Sequence, residues 1–208
     1  MRVATWNVNS VKQRLPRLLA WLDERRPDVL CLQETKLADD AFDELLGEEL
    51  AARGYAFARH DEAQWNGVAI LSRAGLQDIA VGIDGAPGFP LPEARAVSAT
   101  CGGIHVHCVY VPNGRAPDSE HYLYKLAWLA ALKEQVVGHA RNAIVCGDMN
   151  IAPADIDVFD PAAYVGPSDH APVIVDLDEA PDGDIGPVVP PPSAPTVRRR
   201  AAKLPQSP

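Results

Sequence analysis

The hydrophobic residues in the first part of the chain change their spacing twice. Residues 2–8 alternate between apolar and polar side chains, as in a half-buried strand, and residues 11–22 carry apolar side chains at helical spacing. Ser10 stands where the N-cap of that helix is expected. Residues 28–33 then form a short apolar run bounded by turn signals, which predicts a buried strand. The chain is therefore predicted to open with a β-α-β unit.

The middle of the chain predicts one more helix and then a series of strands. The helix is expected at residues 41–53, where apolar positions recur at helical spacing and Gly54 follows. Strands are expected at residues 55–59, 67–72, 94–101 and 104–110. Gly102 and Gly103 fit a two-residue hairpin turn between the last two strands, and residues 84–90 form a loop by composition.

A long helix and two strands are predicted to follow. Asp118 or Ser119 caps the helix, which runs to about Val137. Five apolar residues are expected to face inward: Leu123, Leu126, Leu129, Leu132 and Val136. The strands are expected at residues 142–147 and 172–177. Helices alternating with strands predict an α/β protein, and the hairpin-linked strands indicate mixed, largely antiparallel sheets with helices outside.

The composition changes abruptly after Asp178. Residues 179–208 are rich in proline, contain the basic run Arg198, Arg199 and Arg200, and have almost nothing to bury. We therefore expect one folded domain over residues 1–178 and a disordered tail beyond it. The basic run is either an ordinary solvated terminus or a loose nucleic-acid anchor.

Charge and composition narrow the classes of function. The 208 residues are 47% hydrophobic and carry a net charge of −9. Because phosphate affinity comes from Lys and Arg displacing counterions, a general nucleic-acid coat is excluded and any DNA contact has to be local. The four cysteines lie in apolar runs without CxxC spacing, which favours buried free thiols. With neither a secretory leader nor a membrane-length apolar window, we expect a cytoplasmic protein that makes no membrane contact. We also expect a monomer.

Polar residues at the predicted strand ends carry the candidate chemistry. These residues are Glu34, Asp148, Asn150, Asp169 and His170. Carboxylate and amide oxygens suit a hard cation such as Mg²⁺, and an imidazole nearby can act on a phosphate or a proton. Taken alone, Glu34 is explained equally well as a helix cap, and Asp148 with Asn150 as a turn. Together they predict a metal-dependent phosphodiesterase site.

Six short motifs resemble the successive signatures of the exonuclease III family, the abasic-site endonuclease branch of the endonuclease/exonuclease/phosphatase superfamily. They are TWNVNS at 5–10, LQETK at 32–36, WNGVAI at 65–70, YVPNG at 110–114, GDMNIAP at 147–153 and SDHAP at 168–172. The resemblance implies a four-layer α/β sandwich. It also implies a magnesium-dependent nuclease of base-excision repair, with abasic-site endonuclease, 3′-to-5′ exonuclease and 3′-phosphatase activities on double-stranded DNA. Mn²⁺ is a possible substitute for Mg²⁺.

The resemblance also implies a role for each motif residue. Glu34 would be the principal metal ligand, helped by Asn7, and Asp148 would orient and deprotonate the attacking water. Asn150 would hold the phosphate or that water, and Tyr110 would lie near the leaving group. Asp169 would support the metal or the neighbouring His170, which would donate to a phosphate oxygen. The full metal set would be Asn7, Glu34, Asp148, Asn150, Asp169 and His170, and the DNA contacts would be Asn9, Lys36, Asn66, Arg95, Asn113 and Arg115.

The chain departs from the family pattern between Asn150 and Ser168. Only 17 residues lie there, whereas family members have a longer region that includes an Arg-Ile-Asp strand. The Asp of that strand would orient the histidine corresponding to His170. Its loss predicts an unpaired sheet edge or exposed apolar surface, lower stability and weaker DNA binding. The alternative function is thus an internally truncated, catalytically impaired family member.

Overall fold

The computed structural model describes residues 1–138, 142–151 and 172–177 as two sheets and three helices. The strands are β1 Arg2–Asn7, β2 Val29–Gln33, β3 Ala56–Glu62, β4 Trp65–Ser72, β5 Gln77–Val81, β6 Ala96–Cys101, β7 Ile104–Tyr110, β8 Ala143–Asp148 and β9 Val173–Asp176. The helices are α1 Val11–Arg25, α2 Asp39–Ala52 and α3 Glu120–Val137. The predicted tail at 179–208 lies outside the described residues.

The two sheets are mixed and lie face to face. The first has the strand order β3-β4-β2-β1-β9, and the second has the order β5-β6-β7-β8. Their inner faces share one apolar core, in which Val29 and Ile70 of the first sheet pack with Val97 and Val106 of the second. Leu18 of α1 and Leu46 of α2 pack on the outside of the first sheet. Tyr124 and Trp128 of α3 belong to a third apolar cluster, outside the second sheet. This is the predicted four-layer sandwich, and it is confirmed.

Two parallel strand pairs bring the site residues to the sheet ends. In the first sheet β1 runs parallel to β2, so that Asn7 pairs with Gln33 and Glu34 follows directly. In the second sheet β7 runs parallel to β8, and Tyr110 pairs with Asp148. Because parallel strands end at the same edge, each pair delivers two polar side chains side by side.

The structure refines three local predictions. Ser10 is the N-cap residue of α1, as predicted, although its side chain makes no capping hydrogen bond. Leu123 and Leu126 are exposed, because α3 turns Tyr124 and Trp128 to the sheet instead. The strand β5 was not predicted, since all five of its residues are exposed and no alternation marks it. The cap of α3 is Ser119, one of the two predicted candidates, and its hydroxyl oxygen accepts from the backbone N–H of Tyr122.

Apolar side chains are exposed where strands lie at sheet edges. In the described parts of the chain β9 is the last strand of the first sheet and β8 the last of the second. Val173 and Val175 of β9 are more than half exposed, and so is Ile151 beyond β8. None of the three helices is long and apolar enough to cross a membrane.

Candidate active site

Two carboxylates from different sheets meet at one amide. Nδ2 of Asn7, at the end of β1, lies 2.8 Å from Oε1 of Glu34 and 2.8 Å from Oδ2 of Asp148. Glu34 follows β2 in the same sheet, whereas Asp148 ends β8 in the other. The sandwich thus brings together two of the predicted metal ligands across 114 residues of sequence, with the predicted helper Asn7 between them. Asn7 presents its amide nitrogen to the carboxylates, and its oxygen accepts from the N–H of Asn9.

Glu34 is held in its ionised form. Burial alone would raise its pKa, but hydrogen bonds from Lys36 and Asn7 and the charge of Lys36 outweigh that effect, so its pKa lies below the usual range. Nζ of Lys36 lies 2.7 Å from Oε2 of Glu34. Tyr110 also hydrogen-bonds to Glu34, and burial together with that negative charge raises the pKa of the phenol. Tyr110 therefore remains a protonated hydrogen-bond donor beside an anionic carboxylate.

Asp148 and Asn150 form a compact turn after β8. The N–H of Asn150 donates to Oδ1 of Asp148 at 2.8 Å, and its Nδ2 donates to the carbonyl of Val111 at 2.8 Å. Lys125, on α3, donates to the carbonyls of Met149 and Asn150 at 3.0 and 2.9 Å. This buried lysine, which the sequence did not reveal, fixes the turn that carries both predicted residues.

Backbone strain is concentrated around the site. Ten non-glycine residues in the described ranges have a positive φ. Seven of them belong to the site loops: Asn9, Ser10, Glu34, Lys36, Asn66, Arg115 and Asn150. Left-handed backbone is costly for such residues and persists where the surroundings enforce it. Here the loops are tied to each other, since Ser10 N–H donates to the Glu34 carbonyl and Lys36 N–H to that of Asn66.

The predicted DNA contacts divide into a rim and an internal network. Asn113 and Arg115 are exposed on the loop after β7, and the Arg115 N–H donates to Oδ1 of Asn113. Lys36 donates to Oδ1 of Asn9 at 2.6 Å, so both lie beside Glu34. The Asn113 amide also approaches Oδ1 of Asn150, at 3.5 Å. Lys36 and Asn9 thus border Glu34, and Asn113 borders the turn that carries Asp148, with Arg115 two residues further along the loop.

Asn66 and Arg95 instead converge on Glu93, which the sequence analysis missed. Arg95 forms an ion pair with Glu93 at 2.8 Å, and the hydroxyl of Tyr124 donates to the same carboxylate at 2.7 Å. Nδ2 of Asn66 lies 3.3 Å from Glu93. The Arg95 guanidinium also lies 4.8 Å from the ring centre of Tyr110. No motif links these positions along the chain, so only the fold reveals that they brace Tyr110.

The donor set of the site fits a hard cation. Glu34 and Asp148 supply carboxylate oxygens, the ligands that Mg²⁺ prefers. Asp169 and His170, the remaining predicted ligands, lie outside the described residues. Within residues 1–138, 142–151 and 172–177, no three His, Cys, Asp or Glu side chains form a ready metal centre. The described part of the site therefore offers two carboxylates, whose charge is partly balanced by Lys36.

Comparison with known proteins assigns the chain to a family. Residues 4–201 match the model of the endonuclease/exonuclease/phosphatase family. The chain belongs to that family. The resemblance read from the six motifs is thereby confirmed.

Three relatives illustrate where this family member stands. It is 29% identical over 167 residues to an exodeoxyribonuclease of Bacillus subtilis, with 78% of this chain and 64% of the relative covered. It is similar to the 3′ phosphatase NExo of Neisseria bound to product DNA hairpin, with 40% identity and a TM-score of 0.69. It is also similar to an AP endonuclease from Archaeoglobus fulgidus, with 40% identity and a TM-score of 0.68. Each structural match covers 78% of this chain and 62% of the solved chain. This family member thus spans less than two thirds of the length of these relatives.

Proposed function

We propose that the protein is a magnesium-dependent DNA phosphodiesterase of base-excision repair. Its activities would be abasic-site incision, 3′-to-5′ exonuclease and 3′-phosphatase cleavage. The observation that carries the proposal is the convergence of Glu34 and Asp148 on the Asn7 amide. Two anionic groups at the ends of rigid strands are a costly arrangement unless a cation or a proton transfer uses them.

Glu34 and Asp148 have environments that suit different roles. Glu34, ionised and buried between Lys36 and Tyr110, would be the main ligand of Mg²⁺. When bound, the ion supplies positive charge against the phosphate. Hydrogen bonds from Nδ2 of Asn7 and from the N–H of Asn150 fix the Asp148 carboxylate, which would orient a water and take its proton.

Donors around the carboxylates would stabilise the phosphate. Tyr110 stays protonated and would turn its single O–H from Glu34 to a phosphate oxygen when substrate binds, and the amide of Asn150, next to Asp148, would donate to the phosphate as negative charge develops. Asn113 and Arg115 would hold the adjoining strand, and Lys36 would neutralise a neighbouring phosphate. His170 would donate to a phosphate oxygen beside Asp169.

DNA is favoured as the substrate by the relatives and by the local charge. A solved relative with 40% identity holds a product DNA hairpin, and another is an AP endonuclease. The net charge of −9 leaves Lys36 and Arg115 as a local basic rim, which fits contact with a few phosphates rather than wrapping of DNA. We propose that the protein acts as a monomer in the cytoplasm.

The test is incision of a duplex oligonucleotide with one abasic site, in Mg²⁺, in Mn²⁺ and in EDTA. The unmodified protein should cut in either metal ion, and Glu34→Ala and Asp148→Asn should each lose at least about 100-fold in rate. Glu44→Ala, an exposed acidic residue on the outer helix α2, is the matched control and should cut normally. Cutting that persists in EDTA or in Glu34→Ala would refute the proposal.

A second candidate is a catalytically impaired member of the family. It is favoured by the 62% coverage of solved relatives and by the exposed Val173 and Val175. Such a protein would bind Mg²⁺ or DNA weakly and turn over little. The same assay distinguishes it, since neither the unmodified protein nor Glu34→Ala would then cut.

A further inference from the structure

A cavity, which we name the arginine cavity, lies at the end of the first sheet opposite the candidate active site. Its volume is about 280 Å³. Its walls include Leu22, Arg26, Arg53, Tyr55 and Arg73. The N–H of Arg73 donates to the carbonyl of Asp28, just before β2, whereas Glu34 follows the far end of that five-residue strand. Such a strand spans about 17 Å, so the cavity is separate from the carboxylate pair.

Three arginines line the cavity, and one of them is already paired. Arg53, at the end of α2, forms ion pairs with Asp23 at 2.7 Å and with Glu49 at 2.6 Å. Among the described residues, neither Arg26 nor Arg73 has a carboxylate within ion-pair distance. Nη1 of Arg73 donates to the Arg26 carbonyl at 3.2 Å, which ties the two residues together and leaves other donors on the guanidinium. Two guanidinium charges of the cavity are therefore available to a ligand.

Tyr55 gives the two available charges a common, rigid support. Its side chain is buried, and its hydroxyl donates to the Pro27 carbonyl at 2.6 Å. The guanidinium carbon of Arg73 lies 5.9 Å from the Tyr55 ring centre. Burial raises the pKa of this phenol to about 12, and the charges of Arg73 and Arg26 act in the opposite direction. Both guanidinium groups therefore lie near the same hydroxyl rather than on different parts of the surface.

The backbone of Arg26 adopts a conformation that favours glycine. Its φ is +44°, and its N–H ends α1 by donating to the Leu22 carbonyl. Glycine is the usual residue at such a helix end, because a side chain costs free energy there. The negative end of the helix dipole favours a cation and accounts for part of the choice of arginine. It does not account for Arg73, which follows a strand and shares the cavity.

We propose that the arginine cavity binds a small phosphate dianion, with the guanidinium groups of Arg26 and Arg73 on its oxygens. Planar guanidinium groups match the geometry of phosphate, and two of them balance a charge of about −2. Asp23 and Glu49 at the rim repel a long polyanion such as DNA. The ligand is therefore inorganic phosphate or a small phosphomonoester, which share a terminal phosphate. This inference does not rest on the proposed nuclease function.

Thermal unfolding at pH 8 and constant ionic strength tests this site. The two probes are inorganic phosphate and a deoxynucleoside 5′-monophosphate, and EDTA is present so that no metal ion carries a phosphate to the active site. The melting temperature of the unmodified protein should rise saturably with at least one probe, because a ligand that binds only the folded state stabilises it. Tighter binding of inorganic phosphate would identify the free anion as the ligand, and tighter binding of the nucleotide would identify a phosphomonoester.

Arg26→Gly separates binding from stability. Glycine suits the left-handed position, so without ligand this variant should melt at the same temperature as the unmodified protein or higher. It should nevertheless bind the probe at least about tenfold more weakly, and so should Arg73→Gln. Two controls should bind as the unmodified protein does: Arg17→Gln, which changes an exposed arginine of α1 outside the cavity, and Lys36→Met, at the candidate active site.

Three results would overturn the proposal. The first is the absence of a saturable shift of the unmodified protein with either probe. The second is unchanged binding by Arg26→Gly. The third is a loss of binding in Lys36→Met or Arg17→Gln as large as that in Arg26→Gly, which would mean that the phosphate binds at the active site or through general surface charge.

Discussion

The ammonium nitrogen of Lys36 lies 2.7 Å from Oε2 of Glu34. One positive charge thus already neutralises the carboxylate that we propose as the main metal ligand. Lys36→Met removes this competing charge, so we expect Mg²⁺ to bind severalfold more tightly and DNA to bind more weakly. Calorimetric titration with Mg²⁺ measures the first effect, and the slope of log K against log salt, which should shrink by about 1, measures the second.

The control for that experiment is Lys36→Arg, which keeps the charge and should keep the salt slope. An unchanged slope in Lys36→Met would mean that this lysine does not contact a phosphate.

Asn7 is expected to stabilise the fold as well as the site. Asn7→Ala removes two hydrogen bonds to carboxylates and should lower the free energy of unfolding by about 1–3 kcal/mol. Asn7→Asp keeps the shape of the side chain but places a third negative charge between Glu34 and Asp148. Its loss of unfolding free energy in EDTA should therefore be larger than that of Asn7→Ala. Urea unfolding in EDTA and in Mg²⁺ measures both. Mg²⁺ should raise the free energy of unfolding of Asn7→Asp much more than that of Asn7→Ala. An equal gain in both variants would contradict a cation site here.

Asp61 is expected to make stability depend on pH. Burial raises its pKa to about 6, although Thr35 donates a hydrogen bond to its Oδ1. Its other oxygen, Oδ2, is buried and has no partner among the described residues. Because the folded pKa lies above the unfolded value near 3.8, the folded state gains stability from the proton below pH about 4 and loses it as pH rises through about 6.

Asp61→Asn should remove this dependence, since an amide oxygen still accepts from Thr35 without a charge. Relative to this variant, the wild-type protein should lose on the order of 2–3 kcal/mol of unfolding free energy between pH 4 and pH 8. Urea unfolding over that range measures the difference, and Thr35→Ser, which keeps the donor, should follow the wild type. If the unfolding free energy of the wild type and of Asp61→Asn changed with pH in the same way, the ionisation of Asp61 would cost the folded state nothing, contrary to this prediction.

Gly67 is expected to tolerate no side chain. Its φ is +88°, and a Cβ would lie 1.9 Å from Oγ1 of Thr35, the residue after Glu34. Gly67→Ala should therefore cost more than about 3 kcal/mol or prevent folding. Gly75→Ala is the matched control, because Gly75 has a similar φ of +84° but open space around it, and it should cost about 1 kcal/mol. Thermal melting of the two variants measures the contrast, and similar melting temperatures would contradict the contact.

The sequence predicted the fold best where periodicity was strong. The opening β-α-β unit and the hairpin at Gly102 and Gly103 were predicted within a few residues, because each has its own hydrophobic pattern or turn residues. The α3 helix was located correctly, and Leu129, Leu132 and Val136 pack inward as predicted, but Leu123 and Leu126 are exposed. Apolar residues occur on more than one side of it, so periodicity alone could not choose Tyr124 and Trp128 over Leu123.

The acidic and amide residues of the candidate site were predicted from the sequence, but the residues that hold them in place were not. Glu34 and Asp148 follow apolar strands within recognisable motifs, and this made their meeting predictable. Glu93 and Tyr124 lie 31 residues apart with no shared pattern, and Lys125 looks like an ordinary helix lysine. Such contacts depend on how helix and sheet pack, which single-sequence periodicity does not encode.

The bridge between Asn7 and Asp148 joins residues 141 positions apart. Closing so large a loop is slow and costs chain entropy, so this contact should be among the last that a folding molecule makes. A nascent chain that has not yet emerged as far as β8 has no second carboxylate. Divalent-ion affinity should accordingly appear abruptly during synthesis, as a late marker that both sheets have docked.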